Sequence, residues 1–425
     1  MSFGRNRDLG APRGLASFRG IEPVRPATGF RGVRTAIPAP RSSSFWRRAL
    51  SRDSRLRHVD WVLVLVVLAL SLIGTLLVWS ATAPGLAQAG ANTHAYLEKQ
   101  LLVVGIGLLL MAGVSLLDNR VLRIVAPFAY AAGCLGLLAV LSPLGTTILG
   151  SHSWIPLPGG FQIEPSEYAK IGLIMMIALI FGAEGERSGR PGTRSLALAV
   201  ACSVPVIGLV LAEPDLGVVV VLVVITAGMI ALSGVRLRWL ALLGAAGALG
   251  LVAVLKLHLL KAYQVGRLTS FLHPSPTGTG YQAYQAKIAI GSGGMFGQGL
   301  FHGQLTAGSF FGSYSFQGTD FIFAVAGEEL GFVGCATIVV LLGLVIFRAV
   351  RIAARADDAF GLLVAAGVAI WFAVQAFINI GMTIGIAPVT GLPLPFVSYG
   401  GSALFADMIA IGLLQSVHRR HRVFR

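Results

Sequence analysis

Charge is scarce in this chain, and acid is scarcer still. Asp, Glu, Lys and Arg together make up 12% of the 425 residues, where an ordinary soluble chain carries about 25%. Acidic residues number 18 against 33 basic ones, and none lies between Leu216 and Thr319. Cysteine is nearly absent. Cys134, Cys202 and Cys335 all fall inside apolar runs, which excludes a disulfide framework and leaves small apolar packing residues. No internal repeat of the inverted-transporter kind is visible, and the first residues lack the short apolar core of a secretory signal.

What is present is apolar length. Hydrophobic residues make up 55% of the chain and mean hydropathy is +0.78, more than a soluble fold of this size can bury. Runs of roughly 20 residues, enough to cross a bilayer, fall near 60–83, 98–117, 120–141, 165–183, 195–212, 215–233, 237–257, 321–347, 359–385 and 401–416. The expectation is an all-α, polytopic integral membrane protein of about ten transmembrane helices.

The formal charge of +15 does not point to nucleic acid, because the arginines are not gathered on one face. They sit between alternate helices: Arg13 to Arg57 before the first run, Arg187, Arg190 and Arg194 after the fourth, Arg236 and Arg238 after the sixth, Arg348, Arg351 and Arg355 after the eighth, and Arg419 to Arg425 after the tenth. This alternation is the positive-inside pattern. It places both termini in the cytoplasm. Residues 1–57, rich in Arg, Gly, Ser and Pro, read as a disordered basic tail hovering over anionic membrane lipid. Residues 58–425 form the membrane domain. Its one long external loop, about 258–320, is aromatic- and glycine-rich, and loops of that length are usually functional.

Three constellations carry polar chemistry. Trp154, then Glu164-Pro165-Ser166-Glu167 and Lys170, mark the entrance of the fourth helix, where Glu167 and Lys170, three apart, share a face. Ionisable groups at such an entrance are costly and read either as a site or as a structural ion pair. Asp215, in Glu213-Pro214-Asp215-Leu216-Gly217, stands where a carboxylate caps a helix, so capping explains it as well as chemistry does. The long loop holds Arg267, Gln285, Lys287, a run of glycines from Gly291 to Gly299, and Asp320. Clustered glycines let backbone amides approach an anion or pack tightly. Last comes the stretch from Pro388 to Ser402, with three prolines, three glycines and the hydroxyls of Thr390, Ser398, Tyr399 and Ser402. It is apolar yet cannot be a plain helix. Broken backbone at membrane depth survives only where protein buries it or a wet cavity receives it.

These motifs, in this order, closely resemble those of the SEDS family, the RodA, FtsW and SpoVE proteins of bacterial elongation, division and sporulation. The resemblance covers most of residues 60–416. It implies a multi-pass protein of the bacterial plasma membrane. The implied activity is peptidoglycan glycosyl transfer: polymerisation of lipid II, an undecaprenyl-pyrophosphate-linked disaccharide peptide, beside a class B penicillin-binding protein. Such chemistry needs a base for the acceptor hydroxyl and cations for the pyrophosphate, the latter role being one a divalent ion such as Mg or Mn serves. By this resemblance Asp320, Lys170, Glu167 and Ser275 are expected at the catalytic centre, with Trp154, Glu164, Asp215, Arg267, Gln285, Lys287, Ser398 and Ser402 around the substrate.

The chain departs from the family in two places. In His273-Pro274-Ser275-Pro276-Thr277-Gly278-Thr279-Gly280-Tyr281, Ser275 stands where active relatives carry the Asp proposed as catalytic. Ser315-Phe316-Gln317-Gly318 replaces a usual Pro-Glu-x-His. A serine hydroxyl is no base near neutral pH without a partner. Asp320, Glu164, His273 and His302 are the substitutes available. Two readings stand: a polymerase using another group, or an impaired paralogue that regulates a penicillin-binding protein. A lipid II flippase has less support, since no charged relay crosses the spans.

Overall fold

A computed structural model describes residues 59–148, 151–157, 161–188, 191–256, 265–266, 280–304 and 318–423. Each expected span has its helix: α1 (Trp61–Gln88), α2 (Ala95–Ser115), α3 (Asn119–Leu141), α4 (Pro165–Ser188), α5 (Thr193–Ala212), α6 (Leu216–Leu232), α7 (Leu237–Lys256), α9 (Ile322–Ala354), α10 (Ala359–Ile384) and α11 (Gly401–Val423). Eight are long and apolar enough to cross a membrane; Leu216–Leu232 and the apolar part of α7, Leu237–Gly250, are shorter. The protein is thus a polytopic helical membrane protein. An eleventh helix, α8 (Tyr281–Ser292), lies within the long loop.

Three aspartates start helices by capping. Asp60 accepts from Leu63 N at 3.2 Å, Asp215 from Val218 N at 3.0 Å and Asp358 from Gly361 N at 3.2 Å. Each satisfies an amide that a new helix leaves orphaned. Burial separates the helices into an inner and an outer set. In α10 and α11, 72% and 83% of the spanning window is buried, against 28% and 22% in α2 and α3. Leu109, Phe128 and Leu249 stand exposed on the outer set, as a lipid-facing surface requires. Contacts between helices are made close by small residues: Gly133 and Gly136 of α3 lie against Ala169 and Pro165 of α4, and Gly172 answers against Ala129.

A feature the helical pattern hides is a small antiparallel sheet before α4. β1 (Thr146–Ile148), β2 (Ser151–Leu157) and β3 (Phe161–Ile163) run in the order β1-β2-β3, with Thr146 opposite Trp154 and Ile155 opposite Ile163. The sheet hands the chain directly to Glu164 and the start of α4.

Candidate functional site

The segment between α10 and α11, 385–400, is the broken element expected from its prolines and glycines. Its backbone is satisfied by side chains of the two helices it joins. From α10, Gln375 Nε2 donates to Pro393 O at 3.0 Å, and Asn379 Nδ2 donates to Leu392 O at 2.7 Å and to Asp320 O at 2.9 Å. From α11, Asp407 Oδ2 accepts from Phe396 N at 3.1 Å. Ser398 Oγ accepts from Leu394 N at 2.8 Å and donates to Thr319 O at 2.6 Å. Tyr399 N donates to Gly318 O at 2.8 Å. These bonds clamp the loop's return, 318–320, onto the broken segment. They meet the demand that buried peptide groups be paired.

Under this lattice lies a fully buried ion pair. Lys170 Nζ stands 2.7 Å from Glu167 Oε2, both side chains at 0% exposure. The ammonium also donates to Gln375 Oε1 at 2.9 Å and sits 4.6 Å from the Trp371 ring centroid. Trp371 Nε1 donates to the same oxygen at 2.6 Å. Gln375 therefore ties the ion pair to Pro393, and charge placement in α4 fixes backbone placement in the broken segment. Asp407 interacts electrostatically with both Glu167 and Lys170. Glu167 and Lys170, expected at the catalytic centre, are sealed from solvent in this structure and tied through Gln375 to the broken segment. Ser398 and Ser402, expected as substrate contacts, are also buried and spent on backbone. Ser402 Oγ accepts from Glu164 N at 3.0 Å and lies 3.2 Å from Glu164 O.

More acid collects at the same end. Glu164 is buried and accepts from Ser166 Oγ at 2.8 Å. Burial, with Glu167 and Asp215 nearby, pushes its carboxyl well above the usual range, while the Ser166 bond and Lys170 pull the other way. Glu213, just beyond α5, is fully buried with neither carboxyl oxygen hydrogen-bonded among the described residues. Burial, then the charge of Asp215, raises it from 4.5 to about 8. A divalent cation finds no ready cage here, since no three His, Cys, Asp or Glu side chains among the described residues converge as ligands.

Asp320 carries a carboxyl beside the broken segment. It is half-buried, and its Oδ2 lies where it would meet a methyl group added at Gly391. Lys287 of α8 is exposed and crosses Gly385, the left-handed cap of α10 (φ 83°), where any side chain would strike its ammonium. It puts a cation at the carbonyl end of α10. Gln285 shares α8 and is half-buried; Trp154 is half-buried in β2, its carbonyl accepting from Thr146 Oγ1 at 3.2 Å. The loop glycines take the packing role. Gln298 N and Gly299 N donate to Glu328 O and Glu329 O at 2.9 and 3.0 Å, and Phe332 N donates to Gly294 O at 2.9 Å, so these amides are not offered to an anion. Arg267, His273 and Ser275 lie outside the described residues. His302 is exposed, its ring bonded among the described residues to Leu300 O at 2.8 Å. The residues not foreseen are Trp371, Gln375, Asp407 and Glu213. A signal existed for the middle pair, because a polar side chain within an apolar span is costly wherever it occurs.

The family model described as "Cell cycle protein", covering FtsW, RodA and SpoVE, matches residues 60–423. The chain is 35% identical over 371 residues to a probable peptidoglycan glycosyltransferase FtsW of Trichlorobacter lovleyi, covering 87% of this chain and 95% of that one. It is 36% identical over 366 residues to stage V sporulation protein E of Bacillus subtilis, covering 85% and 98%. It is 34% identical over 388 residues to the peptidoglycan glycosyltransferase MrdB of Escherichia coli, covering 90% and 98%. Among solved structures, a chain from a peptidoglycan synthase complex that coordinates polymerization and crosslinking matches with TM-score 0.68 and 31% identity, covering 86% and 98%. The rod shape determining protein RodA of Thermus thermophilus matches with TM-score 0.62 and 30% identity, with the same coverage. Near-complete mutual coverage at this identity, on a ten-helix body with the broken segment in place, establishes that the chain belongs to the FtsW/RodA/SpoVE family, the SEDS proteins.

Proposed function

We propose that this protein is a peptidoglycan glycosyltransferase that polymerises lipid II at the bundle end bearing the broken segment. The observation that carries the reading is the match over residues 60–423, with relatives named peptidoglycan glycosyltransferase on either side of it. By the alternation of arginines, that end faces outward, both termini are cytoplasmic, and 1–57 is a basic cytoplasmic tail. A class B penicillin-binding protein is the partner in crosslinking, in line with the synthase complex among the structural relatives.

The reaction needs a proton removed from the acceptor sugar hydroxyl and a pyrophosphate stabilised as it leaves. Asp320 takes the first role, being a carboxylate beside the broken segment in a stretch otherwise free of acid. Lys287 and Arg267 take the second. Glu167, Lys170 and Gln375 hold the wall in register, because catalytic groups displaced by about 1 Å lose much of their effect. The test is lipid II polymerisation by purified protein, with and without its penicillin-binding protein. Glycan strands support the enzyme.

The presence of Ser275 at the usual Asp position favours a second reading, in which the chain is a catalytically impaired partner that regulates a penicillin-binding protein. That reading expects no glycan from the wild type and an altered crosslinking rate in its partner.

A further inference from the structure

At the opposite, arginine-rich end is a cleft that glycosyl transfer does not use. A shallow cavity of about 50 Å³, it is lined by Asp60, Arg348, Arg351, Ile352, Arg355 and His418, from the start of α1 and the ends of α9 and α11. One wall is fixed. Arg348 donates through Nε to Asp60 Oδ2 at 2.8 Å, and through Nη2 to the same oxygen. Asp60 is itself pinned by Gln415, which accepts from its amide at 2.9 Å and donates to its carbonyl at 3.0 Å.

The other two arginines are uncompensated among the described residues. Arg351 and Arg355 are exposed, lie four apart on one helix face, and make no ion pair among the described residues. Among the described residues, Asp60 is engaged by Arg348 and Asp358 by Arg123 at 2.8 Å. Softening the dipole at the end of α9 would explain arginines there. It would not require them to line a cleft around a third, anchored guanidinium. The cleft also sits at helix ends, the level of the lipid headgroups. On two of these helices, α1 and α9, large apolar side chains are exposed: Leu65 at 61%, Phe347 at 57% and Val350 at 52%.

We propose that this cleft binds the phosphate of an anionic phospholipid, held by the planar forks of Arg351 and Arg355, with the acyl chains on the apolar flanks of α1 and α9. Basic pockets between membrane helices are suited to such headgroups.

The test is native mass spectrometry of the full chain in detergent, titrated with phosphatidylglycerol, phosphatidylcholine or inorganic phosphate. Wild type should retain phosphatidylglycerol at least about tenfold better than phosphatidylcholine. R351Q/R355Q should weaken phosphatidylglycerol about thirtyfold, or about fivefold per guanidinium. R236Q/R238Q, with the same charge removed outside the cleft, should leave it unchanged. Equal retention of the two lipids, or equal losses in both double variants, overturns the proposal. So does displacement of the lipid by equimolar inorganic phosphate, which would mark a free-anion site. If the glutamine pair fails to fold, R351K/R355K keeps the charge and loses the fork; about a fivefold loss is expected, and no loss contradicts the proposal.

Discussion

Lys170 shows how one residue organises this protein. Its ammonium is out of contact with water and is balanced by Glu167, Gln375 and the Trp371 ring. Removing one partner of such a pair strands the other charge, at a cost of about 3–5 kcal/mol. Lys170→Met should therefore lower the melting temperature in detergent by many degrees, and Glu167→Gln combined with it should recover part of the loss. Independent, additive losses would contradict a coupled pair. Glu213 gives a second test. Burial and Asp215 push its native carboxyl up from 4.5 to about 8, so between these values the folded state holds a proton that the unfolded state has released. Stability from this group is greatest below about 4.5 and declines as pH rises through 8. Glu213→Gln should flatten the melting temperature between pH 5 and 8 and raise it at pH 8; a slope identical to wild type would sink this account. The pairing of Glu167 with Lys170 was legible because helical spacing puts them on one face. Gln375 as their shared partner was not, since it arrives from a helix 205 residues away.

At the scale of elements, two kinds of broken backbone are held differently. The segment 385–400 is held by side chains, and its prolines and glycines announced it. The break in α9 is held by backbone. Gly331 adopts φ 68° and ψ −164° inside the helix, a conformation essentially restricted to glycine, and a Cβ there would strike Gly297 N. Gln298, Gly299, Phe332 and Val333 lace the loop to this kink. Gly331→Ala should undock residues 293–302, seen as a gain in amide hydrogen exchange there with little change in α10. Unaltered exchange would show that the kink does not carry the docking. The sequence suggested the loop glycines for an anion because spacing cannot tell a peptide carbonyl from a phosphate as the group being approached. It hid the sheet before α4 because two of its three strands have three residues, too few to show a period. It left Asp215 open between a cap and a substrate contact; the bond from Val218 shows the cap.

The whole molecule was the most legible level, because apolar length is a direct demand of the bilayer; the ten runs and the ten helices coincide to within a few residues at most ends. Orientation rests on the arginines alone. In a cysteine-free background, a cysteine at Ser309 should react with an impermeant label from outside intact cells, and reaction only after permeabilisation would invert the topology. In the proposed reaction Asp320, not the residue at the Ser275 position, supplies the general base for glycan synthesis. The direct measurement is the rate of lipid II polymerisation by wild type, Asp320→Ala and Ser275→Asp, each purified with its penicillin-binding protein at matched membrane level. Wild type should make glycan, Asp320→Ala should lose about a hundredfold or more, as a general base typically supplies, and Ser275→Asp should show little change or a gain. A wild type that makes no glycan with any partner, while Ser275→Asp does, would contradict this role for Asp320.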